Sequence, residues 1–243
     1  MDDEDQGSLL VRKADSLIEG RQSLTLNEQR LLILAATQLK PDEPIPESGA
    51  EVEFRVVDFA RHFEIQRDHA YQAASDAAKK LHTRVVTTLV VGKKGYEEEV
   101  VNLVQRSRHK KKEGKILVQF TEAAGPYLVK LSKRLNFTTL EVRMLGRLTS
   151  AFAFRLYEIA SLHRDAEPHE YSLERIRTMF GIEGKYPMWR DLNRVVLEGA
   201  MNMVNAETDL HVTIEPLRVM RKFVAVRLKV TTQKAAPRKL APR

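Results

Sequence analysis

The chain has 243 residues, of which 40 are Lys or Arg and 33 are Asp or Glu, so its formal net charge is +7. It has no cysteine, which excludes disulfides and thiolate zinc sites and is typical of a reducing compartment. No apolar run approaches the roughly 18 residues of a membrane span, and the acidic start MDDEDQGS is unlike a secretory signal.

Positive charge is concentrated in three segments. Cations cluster in residues 106–115, in residues 218–222 and in the C-terminal tail, whereas residues 2–5 are acidic. Clustered cations favour a polyanionic partner, most simply nucleic acid. The alternative is that they only keep the surface solvated.

The first third of the chain predicts a helix, a strand and two further helices. LTLNEQRLL (residues 24–32) begins a helix with a capping box, because Thr25 and Glu28 have the spacing in which each side chain satisfies the other's backbone amide. EFRVVDFARHFEI (residues 53–65) predicts a short strand that runs into a short helix. QRDHAYQAASDAAKKLHTRVV (residues 66–86) predicts an amphipathic helix with its alanines inward.

The exposed side of this amphipathic helix, with the turn before it, is a candidate DNA surface. Its polar side chains suit phosphate contacts better than base readout, so we expect this half to bind mainly the DNA backbone. The predicted contacts are Arg67, His69, Gln72, Ser75 and Lys79. A metal role for His69 is disfavoured, because no partner ligand is placed for it.

Strands follow this helix. RVVTTLVV, a GKKG turn (residues 92–95) and EVVNLVQR predict a hairpin, to which KILVQF adds a third strand. The turn carries Lys93 and Lys94, and we interpret it as a wing that reaches a phosphate or the minor groove, with a solvated turn as the alternative. RSRHKKKEGK (residues 106–115) lacks apolar residues and is interpreted as a flexible basic loop that adds salt-dependent, non-specific affinity.

The second half of the chain repeats the first. EYSLERIRTMFGI (residues 170–182) follows EFRVVDFARHFEI at a constant offset of 117 residues, which aligns Phe54 with Tyr171. FTTLEVRML (residues 137–145) is aligned with LTLNEQRLL and predicts a second capping box from Thr138 and Glu141. Coincidence between two α+β units is the alternative.

KYPMWRDLNRVVLEGAMNMVN (residues 185–205) predicts a helix that is cationic only at its beginning. One apolar face at helical spacing contains Leu192, Val195, Val196, Gly199, Ala200, Met203 and Val204. The opposite side carries Arg190 and Arg194 first, then Leu197 and Met201. A recognition helix of a helix-turn-helix unit has this asymmetry, because its first turns meet base edges and its later turns are buried.

This helix is therefore the predicted principal reader of DNA. Arg bridges guanine O6 and N7, and Asn bridges adenine N6 and N7. The candidate base contacts are Arg190, Asn193 and Arg194. Lys185 and Tyr186 in the preceding turn are candidate phosphate contacts. Trp189 lies on the flank and is interpreted as a core anchor rather than a base contact.

HVTIEP and FVAVRLKV predict a second hairpin, joined by LRVMRK. The cations of this turn are interpreted as a second wing tip, again with a solvated turn as the alternative. They are Arg218, Arg221 and Lys222.

Each half thus has the order helix, strand, helix, helix, hairpin, which is the order of a winged helix. We predict an α+β protein with two tandem winged-helix domains, at residues 10–134 and 135–230. Residues 1–9 are expected to form a disordered acidic N-terminus, and residues 231–243 a disordered basic tail.

The sequence carries no recognisable catalytic constellation. It lacks a GxxxxGK[ST] phosphate loop, a GxSxG elbow and an HExxH helix. Its seven histidines include no pair at metal-ligand spacing with a third ligand nearby. We therefore expect a protein that is not an enzyme and has no cofactor or metal.

From about residue 10 to residue 230, the chain resembles the initiator replication proteins of iteron-containing plasmids, which replicate by the theta mode. The resemblance is carried by SLTLNEQRLLIL, by LNFTTLEVRMLGRLTSAFAFRLYEIASLHR, and by FGI followed by YPMWRDLNRVVLEGAMNMVNAETDLHVTIEPLRVMRKFVAVRLKV. The basic loop and tail are not diagnostic of it.

This resemblance implies a function and a set of partners. A monomer would bind direct repeats (iterons) of double-stranded origin DNA, help open an adjacent A·T-rich region and help load the host initiator and the replicative helicase. A dimer would bind an inverted-repeat operator and repress the initiator's own gene, and host chaperones would remodel it to the monomer. The dimer contacts would lie in the first domain, to which residues 24–39 belong. The protein would act on plasmid DNA in the bacterial cytoplasm, without a membrane partner.

Two other functions remain open on sequence grounds. A tandem winged-helix transcriptional repressor without origin activity would use the same DNA-facing residues. A scaffold protein that uses basic patches for other partners would show no preference among DNA sequences.

Overall fold

The computed structural model describes residues 9–40, 43–92, 95–129 and 136–235. Residues 1–8 of the predicted acidic N-terminus, residues 236–243 of the predicted basic tail, and Lys93 and Lys94 lie outside the described residues.

Within the described residues, the chain follows a helix–strand order that is repeated once. The first half contains β1 (Leu10–Ala14), α1 (Asp15–Glu19), α2 (Leu26–Ala36), β2 (Ala50–Arg55), α3 (Val56–His62), α4 (Arg67–Leu81), β3 (Val85–Gly92), β4 (Gly95–Asn102), β5 (Val104–Lys110), β6 (Lys115–Phe120) and α5 (Gly125–Leu128). The second half contains β7 (Phe137–Glu141), α6 (Val142–Gly146), α7 (Ala151–Ser161), β8 (His169–Ser172), α8 (Leu173–Met179), α9 (Trp189–Leu192), a π-helical turn (Asn193–Leu197), α10 (Glu198–Glu207), β9 (Leu210–Val219) and β10 (Lys222–Thr232).

The predicted internal repeat is confirmed. α3 begins at Val56 and α8 begins at Leu173, at the predicted offset, and each directly follows a short strand. The aligned residues Phe59 and Ile176 are both buried, because each turns inward from the same position of its helix. The two halves therefore use the same local pattern to seat the helix that precedes the recognition helix.

The sheets repeat as well, and they correct the predicted wing of the first half. β2–β6–β5 and β8–β10–β9 have the same antiparallel order. β3 and β4 form a separate two-stranded sheet, which a single bridge joins to Arg21 at Thr87, so the hairpin with the GKKG turn is an addition to the winged helix. The wing equivalent to β9–β10 is β5–β6.

The interpretation of residues 106–115 as a flexible loop is wrong. The segment forms the end of β5, a 3₁₀ turn (Lys111–Glu113) and the start of β6. Lys110 and Lys115 pair with Glu53 at 2.8 and 2.7 Å. Cations that suggested a solvated loop are thus neutralised by carboxylates that β2 presents beside them.

One predicted capping box is confirmed and the other is wrong. The Thr25 side chain accepts from the amide of Glu28, whose carboxylate accepts from the amide of Thr25, so α2 starts as predicted. Thr138 instead lies in β7 and donates to Asp15. The helix equivalent to α2 is α7, which Ser150 caps by accepting from the amides of its first turn.

Pairing between one strand of each half explains why Thr138 does not cap a helix. β7 pairs antiparallel with β1, from Leu10 opposite Glu141 to Ala14 opposite Phe137. Residues that would otherwise start a helix are therefore held as a strand by a partner far away in the sequence, which local spacing does not reveal.

Candidate nucleic-acid interface

The recognition helix of the second half contains a π-helical turn. α9, the turn and α10 follow one another without a break, and the amide of Glu198 donates to the carbonyl of Asn193, five residues earlier. A π turn holds an extra residue and so rotates the helix on one side of it relative to the other.

The predicted core face of this helix is therefore partly wrong. The positions confirmed as buried are Leu192, Val196, Ala200 and Val204. Leu197, expected on the opposite side, is buried with 1% of its surface exposed. Val195 is 41% exposed and Gly199 is exposed, although a 3.6-residue period places both inward. Met203 is half-buried.

The predicted DNA contacts of this half surround the start of the helix. Lys185, Arg190 and Arg194 are exposed, whereas Asn193 and Tyr186 are half-buried. Arg194 lies 3.7 Å from Asp191, one turn earlier, which holds its side chain along the helix surface. Guanidinium groups and free helix amides thus meet at one end of the helix, where a nucleic acid would meet them.

The turn before the helix is fixed by main-chain contacts. The Arg177 side chain donates to the carbonyls of Tyr186 and Pro187 at 3.0 and 3.1 Å. Tyr186 has a φ of +50°, in the left-handed region, so the chain reverses here before the helix begins. Lys185 is therefore presented on an ordered turn.

The second wing is attached to the recognition helix by aromatic stacking. Trp189 stacks on Phe223 of β10 with ring centroids 5.3 Å apart, as its interpretation as a core anchor predicts. The guanidinium of Arg218 lies over the same Phe223 ring, 4.0 Å from its centroid. Arg221 and Lys222 are exposed beside Met220, which has 97% of its surface exposed at the hairpin tip.

In the first half, α4 presents most of its predicted contacts. Arg67, His69, Gln72 and Lys79 are exposed. The expected exposure of Ser75 is wrong, since only 5% of it is accessible and its hydroxyl lies 3.1 Å from Nδ1 of His109 on β5. Burial, with a smaller effect from Lys79, holds the pKa of His109 below its usual value. The neutral ring packs against Ser75, because the sheet covers that side of α4.

Two cations of the predicted basic loop lie instead on the first wing. Lys111 and Lys112 are exposed in the turn between β5 and β6, at the tip of the first wing. The signal was present in Gly114, whose φ of +63° ends the turn, and in the alternating strand KILVQF directly after it. The high charge of residues 106–115 led instead to their interpretation as a loop.

No group of three or more His, Asp or Glu side chains in residues 9–40, 43–92, 95–129 and 136–235 is placed to hold a metal ion. Over the same residues, no helix has both the length and the apolar character needed to cross a membrane.

Two helix-turn-helix units, each beside a three-stranded sheet with a cationic hairpin, define a tandem winged-helix protein. Residues 10–161 match the family model "Initiator Replication protein, WH1", and residues 172–230 match "Initiator Rep protein, WH2". The chain belongs to this family of replication initiator proteins, and its fold is the predicted pair of winged-helix domains.

Similar proteins agree with this assignment. The PI protein of Escherichia coli is 23% identical over 228 residues, which cover 82% of this chain and 74% of that protein. The crystal structure of Pi initiator protein in complex with iteron DNA matches with a TM-score of 0.78 and 19% identity, and the match covers 93% of this chain and 98% of that one. This likeness shows a common fold over nearly the whole described chain.

Proposed function

We propose that this protein initiates plasmid replication by binding the direct repeats of an origin as a monomer. The observation that carries the proposal is the presence, in one chain, of two winged helices whose recognition helices begin with exposed cations. Family membership and the likeness to an initiator crystallised with iteron DNA support it.

The two domains make different contacts with the DNA. In the second, Arg190, Asn193 and Arg194 read bases, and Lys185 and Tyr186 contact phosphates. In the first, the exposed residues of α4 contact the DNA backbone: Arg67, His69, Gln72 and Lys79. The wing cations Arg218, Arg221 and Lys222 add phosphate or minor-groove contacts, as do Lys111 and Lys112 at the tip of the first wing.

A monomer with two readers does not require a palindrome. Its recognition helices enter successive major grooves, about 34 Å apart along the duplex, so that one chain covers roughly 20 base pairs. Bending such a site costs on the order of 1–6 kcal/mol. Several monomers on neighbouring repeats add their bends and strain the adjacent A·T-rich duplex, where host initiator and helicase are then loaded.

A dimer serves autorepression, and the separate β3–β4 hairpin offers its contact surface. Val85 and Leu89 lie on one side of β3, and Val100 stands on the same side opposite Thr87. All three apolar side chains are exposed. A second copy of this chain would cover this surface, and two-fold symmetry would direct the dimer to an inverted repeat.

The test is a binding titration with footprinting on DNA that flanks the gene, at two salt concentrations. Regularly spaced protection of direct repeats, with one monomer on each, is the expected result. Protection of an inverted repeat alone would favour the repressor function instead. Equal affinity for any duplex, lost steeply with salt, would mean that the basic surface does not read sequence.

The dimer surface has its own test. Val100→Lys is expected to shift the protein towards the monomer in sedimentation and to weaken binding to the inverted repeat while direct-repeat binding is kept. Val57→Lys, at an exposed valine on α3, is the control for added charge in the same domain. An unchanged monomer–dimer balance for Val100→Lys would place the contacts elsewhere.

A further inference from the structure

Val195 occupies an unusual place on the recognition helix. It is 41% exposed, between the exposed Arg194 and the fully buried Val196. Val195 lies within the π-helical turn Asn193–Leu197, in which Val196 and Leu197 are buried and Val195 is not. π turns within helices occur frequently at functional sites.

The surface around Val195 is open. Gly199, four residues later on the same side of the helix, is exposed, and a Cβ built on it would have no neighbour within 4 Å. No described residue therefore covers this side of the helix one turn beyond Val195. Arg190 and Arg194 are exposed in the first turns of the same helix, and the acidic residues Asp191 and Glu198 lie four residues before and three residues after Val195, so this apolar side chain is exposed among charged groups of both signs.

The major groove of DNA offers one apolar group, the C5 methyl of thymine, among hydrogen-bonding atoms. A valine side chain makes no hydrogen bonds, so a methyl group is the base-edge feature that it distinguishes. The bare backbone at Gly199 lets the helix approach the groove closely on this side.

We propose that Val195 is a specificity-determining residue that contacts a thymine methyl group in each bound repeat. This inference rests on the proposed function and refines it, since it adds an apolar contact to the arginine and asparagine contacts of the same helix.

The test combines a protein change with a DNA change that removes the same contact. A preferred duplex is first selected from a random library with the full chain, and each thymine is then replaced in turn by uracil, which lacks only the methyl group. At one thymine, uracil is expected to weaken wild-type binding about three- to fourfold, the effect of losing about one buried methyl-sized group. Val195→Ala should be weakened to a similar extent on the unmodified duplex, and should no longer distinguish thymine from uracil there.

The control is Val224→Ala on β10. Val224 has the same exposed fraction, 41%, but lies on the wing. Thymine methyls project only into the major groove, so a wing in the minor groove does not sense them, and this variant is expected to keep the full thymine–uracil difference. Val195→Ala is expected to fold, because alanine is the better helix former on a surface.

The outcomes separate the two proposals. Selection of no preferred duplex would overturn the proposed function, and this inference with it. Selective binding with no uracil-sensitive thymine, or with equal sensitivity in wild type and Val195→Ala, would overturn this inference and leave the proposed function standing.

Discussion

Lys13 and Glu158, which are 145 residues apart in sequence, form a buried ion pair of 2.8 Å between β1 and α7. Both side chains are 2% exposed. Arg155 pairs with the second carboxylate oxygen of Glu158 at 2.7 Å, and also donates to the carbonyls of Ile18, Gly20 and Met179. The beginning of the chain is thereby fixed to α7 and to the end of α8, which precedes the recognition helix.

Glu158→Gln is expected to destabilise the protein by about 3–5 kcal/mol, because it leaves the charges of Lys13 and Arg155 buried without their partner. Burial acts to raise the pKa of Glu158, but the two neighbouring cations hold it below its usual value, so the carboxylate is charged at neutral pH. Urea unfolding measures the loss. Glu170→Gln, which breaks the exposed pair with Arg227, should cost at most about 1 kcal/mol; equal losses in the two variants would contradict a role for burial.

Arg194→Ala is expected to weaken binding to the preferred repeat by about 1–3 kcal/mol and to relax preference at one base pair, because a bidentate base contact is lost. The measurement is a titration against duplexes with single base-pair changes. Arg143→Ala is a matched control, since Arg143 is also exposed and lies 3.6 Å from a carboxylate, that of Glu141. Uniform weakening of Arg194→Ala on every duplex would assign Arg194 to a phosphate.

Arg67→Ala should weaken binding to all duplexes about equally. Arg67 is exposed at the start of α4, where we place backbone contacts. Loss of one phosphate contact lowers the steepness of log K against log salt concentration by about 1. Titrations at several salt concentrations measure this steepness. A changed base preference with an unchanged salt dependence would instead make α4 a reader of bases.

Stability is expected to fall as the pH drops below about 6.5. Burial, with a smaller effect from His169, lowers the pKa of His163, whose Nε2 lies 2.7 Å from the Tyr171 hydroxyl. The unfolded chain then binds a proton that the folded chain does not, so stability is present above the unfolded pKa and is lost as pH falls towards the folded value. His109 acts in the same direction.

Urea unfolding between pH 7.5 and pH 5 checks this expectation. His163→Gln should flatten the decline without abolishing it, because His109 remains. Parallel curves for the wild type and the variant would show that His163 does not carry the effect.

The sequence predicted the fold where local pattern and tertiary structure agree. Phe54 and Tyr171, or Val56 and Leu173, lie at equivalent buried positions because both halves need the same strand and helix to close a core. The sequence-based predictions were wrong where contacts between residues far apart in sequence determine the local structure. Thr138 has the spacing of a helix cap, but β1 holds it in a strand. Four cations of residues 106–115 pair with carboxylates of β2, namely Arg106, Arg108, Lys110 and Lys115.

The sequence predicted that the cations of the candidate site are exposed, but it did not predict the exposure of Val195. Arg190 and Arg194 are exposed wherever the helix faces fall, so the assumed period did not matter for them. Val195, expected inward, is exposed within the π turn Asn193–Leu197, and hydrophobic periodicity has no signal for such a turn. The predicted exposure of Ser75 is wrong for a related reason, because the strand that covers Ser75 belongs to a segment that was interpreted as a loop.

The pairing of β1 with β7 also bears on how the chain folds during its synthesis. Phe137 leaves the ribosome 123 residues after its partner Ala14, which takes roughly 6–25 s at elongation rates of about 5–20 residues per second. Throughout that interval β1 lacks its partner strand and presents unpaired backbone groups, which are the usual starting point of misassembly. A nascent chain that stalls after the first winged helix therefore displays an open strand, which a chaperone or a second nascent chain would recognise.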